Sequence, residues 1–239
     1  MDLTAFGALT FDCYGTLIDW ETTIRLDLAT WAIEAGLDVD EDEMLAAFAA
    51  AQREHQALRP MKPYPIILRD AFIDAARQWS GRPAPEIAAQ FSRSISRWRP
   101  FYDTVPALAY LKTRYRLGVL SNVDRISFAE TASKLAVPLD CTVTADDVDA
   151  YKPDPAHFRR AIEMFQRQGI AAARILHVAQ SRFHDIQPAQ TLGLATVRIN
   201  RRHDREGRGL VIDAPVEADL TLRSLAELAE QARAAWGDR

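Results

Sequence analysis

Four short polar segments of the sequence carry side chains that hydrolysis through a covalent intermediate would need. A carboxylate can attack an electrophilic carbon, a cation can keep that carboxylate ionised, and a second carboxylate can activate water. The segments are residues 12–16, 121–122, 151–155 and 179–185. Asp12 is therefore the candidate nucleophile, Lys152 its charge partner and Asp185 the water activator.

Apolar runs that are typical of buried strands lie before the polar segments. They cover residues 5–11, 117–120, 141–144 and 175–178. In open parallel sheets, ligands bind beyond the carboxyl ends of the strands, because loops and helix N-termini converge there. The four polar segments are therefore expected to meet at one edge of a sheet.

The order of the apolar patterns predicts an α/β protein. Strand and helix patterns alternate after residue 100, which indicates a mostly parallel sheet covered by helices. Residues 20–98 instead have apolar positions at helical spacing, with breaks at 60–65 and 80–85 that divide them into roughly four helices. We therefore expect a Rossmann-like core of residues 1–16 and 100–239, with a helical cap of residues 17–99 inserted after the first strand.

Composition excludes several classes of protein. The 239 residues are 48% hydrophobic and 26% charged, which is ordinary for a globular chain, and a net charge of −4 argues against a nucleic-acid partner. No run approaches the roughly 20 apolar residues of a membrane span, and the first residues lack a secretion signal. A cytoplasmic protein with no membrane partner is expected. Cys13 and Cys141 lie in apolar runs and predict buried, reduced thiols, and no zinc-ligand spacing is present.

The residues that carry the predicted chemistry resemble a known family. Residues 11–17, followed by Ser121-Asn122, Lys152-Pro153 and Asp185, resemble the haloacid dehalogenase superfamily, and in particular its type II 2-haloacid dehalogenase branch. This resemblance implies hydrolysis of small 2-haloalkanoic acids to 2-hydroxy acids through an ester on Asp12. It implies that Lys152 holds Asp12 ionised and that Asp185 activates water. Members of this branch are often dimers, and the sequence leaves open whether this chain is a monomer or a homodimer.

Position 14 separates the dehalogenase interpretation from a phosphatase. Phosphatases of this superfamily carry an aspartate there to protonate the leaving alkoxide, whereas this chain has Tyr14, and a halide leaves without a general acid. Gln180 also stands where the phosphatase pattern has an acidic metal ligand. No metal and no cofactor are therefore expected. A Mg²⁺-dependent phosphatase and a non-catalytic binding protein that retains the fold stay as alternatives.

Several further residues are candidates for binding substrate or halide. They are Cys13, Tyr14, Thr16, Arg53, Ser121, Asn122 and Ser181, with Arg69 as the other candidate cap arginine. Five of them have a simpler interpretation: Ser121, Asn122 and Ser181 as turn or helix-cap residues, and the two arginines as a solvated helix face.

Three other features bear on the site. His184 is left out of the catalytic set, and Phe158 stands where the resemblance implies a tyrosine. The arginine-rich stretch of residues 200–209 predicts a solvated surface loop rather than an anion site.

Overall fold

The structure, a computed structural model, describes residues 1–203 and 214–238. The described chain divides into two compact units. Residues 20–98 form a helical unit, and residues 1–19 together with the described residues from 99 onward form the other, the core unit. The boundaries fall between Asp19 and Trp20 and between Trp98 and Arg99. The sequence predicted them between residues 16 and 17 and between residues 99 and 100.

The helical unit contains four α-helices. They are α1 (Trp20–Glu34), α2 (Glu41–Ala57), α3 (Tyr64–Arg77) and α4 (Pro85–Ser92). Prolines at or next to the first helical residue begin α3 and α4, where the missing N–H has no intrahelical partner to lose. Aromatic rings fill the interior: Phe72 stacks on Phe91 with centroids 4.5 Å apart, and Trp31 meets Phe72 edge-on at 5.2 Å.

Strands and helices alternate in the core unit. Its strands are β1 (Ala8–Asp12), β2 (Ile18–Asp19), β3 (Arg99–Pro100), β4 (Arg116–Leu120), β5 (Cys141–Val143), β6 (Ile175–Ala179), β7 (Ala195–Ile199) and β8 (Leu220–Leu222). Its helices are α5 (Thr104–Lys112), α6 (Arg125–Leu135), α7 (Ala145–Val148), α8 (Ala156–Gln166), α9 (Gln187–Thr191) and α10 (Leu225–Trp236). No described helix of either unit is long and apolar enough to cross a membrane.

A six-stranded parallel sheet organises the core unit and confirms the predicted α/β class. The strand order is β5-β4-β1-β6-β7-β8, and every neighbouring pair is parallel. All residues of β1 and β6 are buried, as expected for central strands covered on both faces. The chain enters and leaves the helical unit through β2 and β3, which pair antiparallel in a separate two-stranded sheet.

The expectation of a solvated loop at residues 200–209 is wrong for its first arginine. The Arg201 side chain is only 6% exposed and forms an ion pair with the buried carboxylate of Asp103. Its Nη1 donates to both Asp103 oxygens at 2.8 Å. A buried partner far away in the sequence thus removes this side chain from solvent. Arg205 and Arg208 lie outside the described residues.

Candidate active site

Asp12 ends β1 and is followed by a tight turn that returns the chain to it. Gly15 has φ 95°, a left-handed conformation that glycine adopts without steric strain. The N–H groups of Leu17 and Ile18 both donate to the Cys13 carbonyl, at 2.8 and 3.0 Å. The turn brings Thr16 back so that its Oγ1 donates to Asp12 Oδ2 at 2.7 Å.

The Lys152 ammonium connects the two carboxylates that the sequence singled out. Its Nζ lies 2.8 Å from Asp12 Oδ1, 2.6 Å from Asp185 Oδ1 and 2.9 Å from the carbonyl of Leu120. The three donors of the ammonium therefore have three acceptors. The side chains of Lys152 and Asp185 are 1% exposed, whereas that of Asp12 is 11% exposed. Of the three groups, Asp12 is the most exposed, and it is the one that a substrate can reach.

Asn122 holds the backbone of Lys152. The Lys152 N–H donates to Asn122 Oδ1 at 2.6 Å, and Asn122 Nδ2 donates to the Lys152 carbonyl at 3.2 Å. Ser121 is buried, and its Oγ accepts from the Val123 N–H at 3.3 Å. Asp124, rather than either of them, caps α6. Ser121 and Asn122 thus lie at the site, where Asn122 supports the lysine through both of its polar side-chain atoms.

Asp185 lies in a single π-helical turn, Arg182–Ile186, after β6. Ser181 caps this turn, since its Oγ accepts from the His184 N–H at 3.0 Å. His177 Nε2 lies 3.3 Å from Asp185 Oδ1, while the buried Asp185 Oδ2 has no hydrogen-bond partner in the described chain. Sequence reasoning missed His177. The available signal was a histidine in the middle of the apolar run Ile175–Ala179.

The pKa values of the two carboxylates shift in opposite directions. Burial raises the pKa of Asp12 above its ordinary value of 3.8, and the opposing effects of Lys152 and Thr16 do not cancel it. Burial acts to raise the pKa of Asp185 too, but Lys152 and His177 lower it to about 2. Burial lowers the pKa of Lys152, yet the two aspartates outweigh it and raise that pKa. At neutral pH Asp185 is therefore ionised and Lys152 is protonated.

The side chains next to Asp12 are held by the core unit. The Tyr14 hydroxyl lies 2.8 Å from Thr131 Oγ1 on α6. The Cys13 thiol is buried, which raises its pKa well above the ordinary value. Both cysteines are unbridged and buried. Tyr14 is thus anchored on α6, and Cys13 is kept as an unreactive thiol.

The candidate arginines belong to the helical unit. Arg53 is exposed on α2. Arg69 on α3 donates from Nε and Nη2 to Asp70 Oδ1, at 3.0 and 2.8 Å. A substrate-binding role of either arginine stays a prediction.

The residues around Asp12 do not fit the Mg²⁺ that a phosphatase would need. Mg²⁺ requires a nearly octahedral set of oxygen ligands. Here Lys152 binds Oδ1 of both aspartates, and Thr16 binds Asp12 Oδ2. Residues 1–203 and 214–238 contain no group of three or more His, Cys, Asp or Glu side chains arranged to hold a metal. The carboxylate oxygens of Asp12 and Asp185 instead accept hydrogen bonds from the ammonium of Lys152.

Comparison with known proteins shows the family of the chain. The chain is 27% identical over 202 residues to (S)-2-haloacid dehalogenase 4A of Burkholderia cepacia, covering 82% of this chain and 83% of that protein. It is 25% identical over 208 residues to glyceraldehyde 3-phosphate phosphatase of Methanopyrus kandleri, covering 82% and 86%. A solved defluorinating L-2-haloacid dehalogenase has the same fold, with a TM-score of 0.77, 24% identity and 95% of each chain covered. Residues 6–193 match the haloacid dehalogenase-like hydrolase family. The chain therefore belongs to the haloacid dehalogenase-like hydrolases, as the motifs around Asp12, Lys152 and Asp185 predicted.

Proposed function

We propose that this hydrolase removes halide from small 2-haloalkanoic acids and releases 2-hydroxy acids. The proposal is supported above all by the groups that surround the Asp12 carboxylate. Its carboxylate pairs with the Lys152 ammonium and is partly exposed, and the residue two positions on is Tyr14, whose hydroxyl is held by Thr131. This arrangement offers a nucleophile and no carboxylic acid at position 14 to protonate an alkoxide.

The first half-reaction forms an ester on Asp12. A carboxylate oxygen of Asp12 attacks the carbon that bears the halogen, from the face opposite the halogen, and that carbon inverts. The carbon–oxygen bond forms as the carbon–halogen bond breaks, and the halide leaves with the bonding electron pair. No proton is transferred in this step, so Tyr14 is compatible with it.

The second half-reaction hydrolyses the ester. Water passes a proton to Asp185 and attacks the carboxyl carbon of Asp12, and Lys152 stabilises the oxyanion that forms. The bond from that carbon to the ester oxygen then breaks, and the proton from Asp185 goes to the departing alkoxide. The second proton of the water stays on the new Asp12 carboxyl and is released to solvent, which restores the carboxylate. The N–H groups of Gly15, Leu17 and Ile18 already donate within the turn, which is why we assign the oxyanion to Lys152.

A phosphatase is the second candidate, because a phosphatase is among the similar proteins at nearly the same identity as the dehalogenase. The two candidates differ in the electrophile, the leaving group and the need for Mg²⁺. Tyr14 and the ammonium between the two carboxylates favour the dehalogenase.

A direct comparison of products tests the proposal. Halide release is measured with fluoro-, chloro- and bromoacetate and both 2-chloropropionates in excess chelator, and phosphate release from generic phosphomonoesters with added Mg²⁺. We expect halide release without metal, abolished by Asp12→Asn and unchanged by Asp38→Asn at an exposed position of the helical unit. Phosphate release that depends on Mg²⁺, without halide release, would establish the phosphatase. If the protein releases neither halide nor phosphate, that result would favour a binding protein that retains the fold.

A further inference from the structure

His177 is a polar side chain in the middle of the central sheet. It lies on β6 directly opposite Thr10 on β1, and both residues are almost completely buried. A buried imidazole is unfavourable unless its nitrogens are hydrogen-bonded. Both nitrogens have partners here: Nδ1 lies 3.0 Å from Thr10 Oγ1, and Nε2 lies 3.3 Å from Asp185 Oδ1.

The two partners select one tautomer of the neutral imidazole. Asp185 is ionised and can only accept a hydrogen bond, so Nε2 must carry the proton. Nδ1 is then an acceptor, and the Thr10 hydroxyl can donate to it. Thr10, His177 and Asp185 thus form a chain in which each donor points toward Asp185. Phe158 meets the imidazole edge-on, with centroids 5.0 Å apart and an interplanar angle of 76°, and offers no competing polar atom.

This series of hydrogen bonds leaves the two oxygens of Asp185 with different surroundings. Oδ1 receives both His177 Nε2 and Lys152 Nζ. Oδ2 is buried and has no hydrogen-bond partner among the residues that the structure describes. A buried carboxylate oxygen without a partner is unfavourable, and such an atom in a native site calls for a water, an ion or a function.

We infer that His177 is a positioning residue for ester hydrolysis, which fixes Asp185 so that Oδ2 is the atom that binds and deprotonates the attacking water. The inference rests on the proposed function and assigns a residue to its second half-reaction. Lys152 alone holds one oxygen and leaves the carboxylate able to rotate about its Cβ–Cγ bond. The second donor from His177 restricts that rotation.

The inference predicts that the two half-reactions respond differently to loss of His177. Halide departure needs Asp12 and Lys152, and neither of them contacts His177 through any hydrogen bond in the described residues. Ester hydrolysis needs Asp185 in a fixed orientation. Loss of the imidazole donor should therefore slow the second step and leave the first nearly unchanged.

The test compares His177→Gln with His177→Met, which are similar in size and differ in having an N–H donor at the end of the side chain. A 2-chloropropionate enantiomer that the wild type dehalogenates is mixed with excess enzyme and quenched at intervals. Halide is measured, and the ester is followed by the mass of the peptide containing Asp12. For His177→Met we expect halide release within about threefold of wild type and ester hydrolysis slowed about 10- to 100-fold, so that ester accumulates. His177→Gln should hydrolyse the ester within about threefold of wild type.

Other outcomes overturn the inference. Equal slowing of both steps in His177→Met would mean a structural role only, and so would equal behaviour of the Gln and Met variants. Nitrogen NMR of the imidazole in the wild-type enzyme gives a readout that needs no turnover: His177 should carry its proton on Nε2, and a proton on Nδ1 alone would refute the chain. Absence of halide release by the wild type would instead refute the proposed function, which separates the two failures.

Discussion

The guanidinium of Arg201 donates two hydrogen bonds to the backbone carbonyl of Thr16, from Nε at 3.0 Å and from Nη2 at 2.9 Å. Thr16 is the residue whose hydroxyl donates to the candidate nucleophile Asp12. The third nitrogen of Arg201 binds Asp103, and Asp103 Oδ2 accepts from the N–H groups of Leu225 and Ala226 at the start of α10. The nucleophile turn is thus connected to α10 through a buried ion pair.

Removal of the Arg201 charge should destabilise the protein far more than removal of an exposed arginine. Arg201→Met leaves the buried Asp103 carboxylate without its cation, which generally costs about 3–5 kcal/mol. Arg160, whose ion pair with Glu163 is 45% and 55% exposed, provides the control, and Arg160→Met should change the free energy of unfolding by less than about 1 kcal/mol. Urea unfolding of both variants measures the difference. Equal effects would show that the buried pair contributes little.

The burial of Arg201 could not be predicted from the sequence. A run of arginines in a polar stretch predicts a solvated loop, because nothing nearby in the sequence would pair with it. The partner, Asp103, is 98 positions earlier, and only the folded sheet brings the two together. His177 was missed for a related reason, since its partners Thr10 and Asp185 are set by strand register and by one π-helical turn.

The convergence of Asp12, Lys152 and Asp185 could be anticipated because it depends on topology alone. Residues after parallel strands meet at the carboxyl edge whatever their side-chain geometry. The family and the α/β class followed from the same motifs and from strand–helix alternation, and both are confirmed. The roles of the binding candidates depend on orientation, which sequence does not give. Asn122, expected to bind substrate, has both polar side-chain atoms on the Lys152 backbone.

Lys152→Met should nearly abolish ester formation. The variant keeps the length of the side chain but leaves Asp12 and Asp185 as neighbouring carboxylates without a cation, so one of them tends to take up a proton. We expect single-turnover halide release per folded molecule to fall on the order of 100- to 1,000-fold. Lys112→Met, which removes a partly exposed lysine paired with Asp140, is the matched control and should keep wild-type turnover. Near-normal halide release by Lys152→Met would remove the lysine from the mechanism.

The pH dependence of halide release should have a single acid limb set by Asp12. Burial raises the pKa of Asp12 above 3.8. As the pH falls, Asp12 therefore takes up a proton, and loses its nucleophilic carboxylate, at a pH above 3.8. Asp185, with its pKa lowered to about 2, stays ionised there, and the raised pKa of Lys152 keeps it protonated on the alkaline side. Single-turnover halide release against pH measures the midpoint.

Thr16 provides a check on that assignment. Its hydrogen bond lowers the pKa of Asp12, so Thr16→Val should move the acid midpoint to higher pH, while Thr16→Ser should leave it in place. A wild-type midpoint below 3.8, or a shift to lower pH in Thr16→Val, would assign the limb to another group.

The last prediction separates covalent catalysis by Asp12 from direct attack by water. If Asp12 is the nucleophile, its own oxygen enters the product, and solvent oxygen enters the carboxylate when the ester is cleaved at the carboxyl carbon. In one turnover in ¹⁸O-labelled water with enzyme in excess, the label should appear on the peptide containing Asp12, and the 2-hydroxy acid should be unlabelled. Asp12→Asn should be nearly inactive because a neutral amide is a poor nucleophile, with any activity growing as the amide deamidates. Direct attack predicts the reverse distribution, so label in the first product with none on that peptide would remove the ester, and with it the roles proposed here for Asp185 and His177.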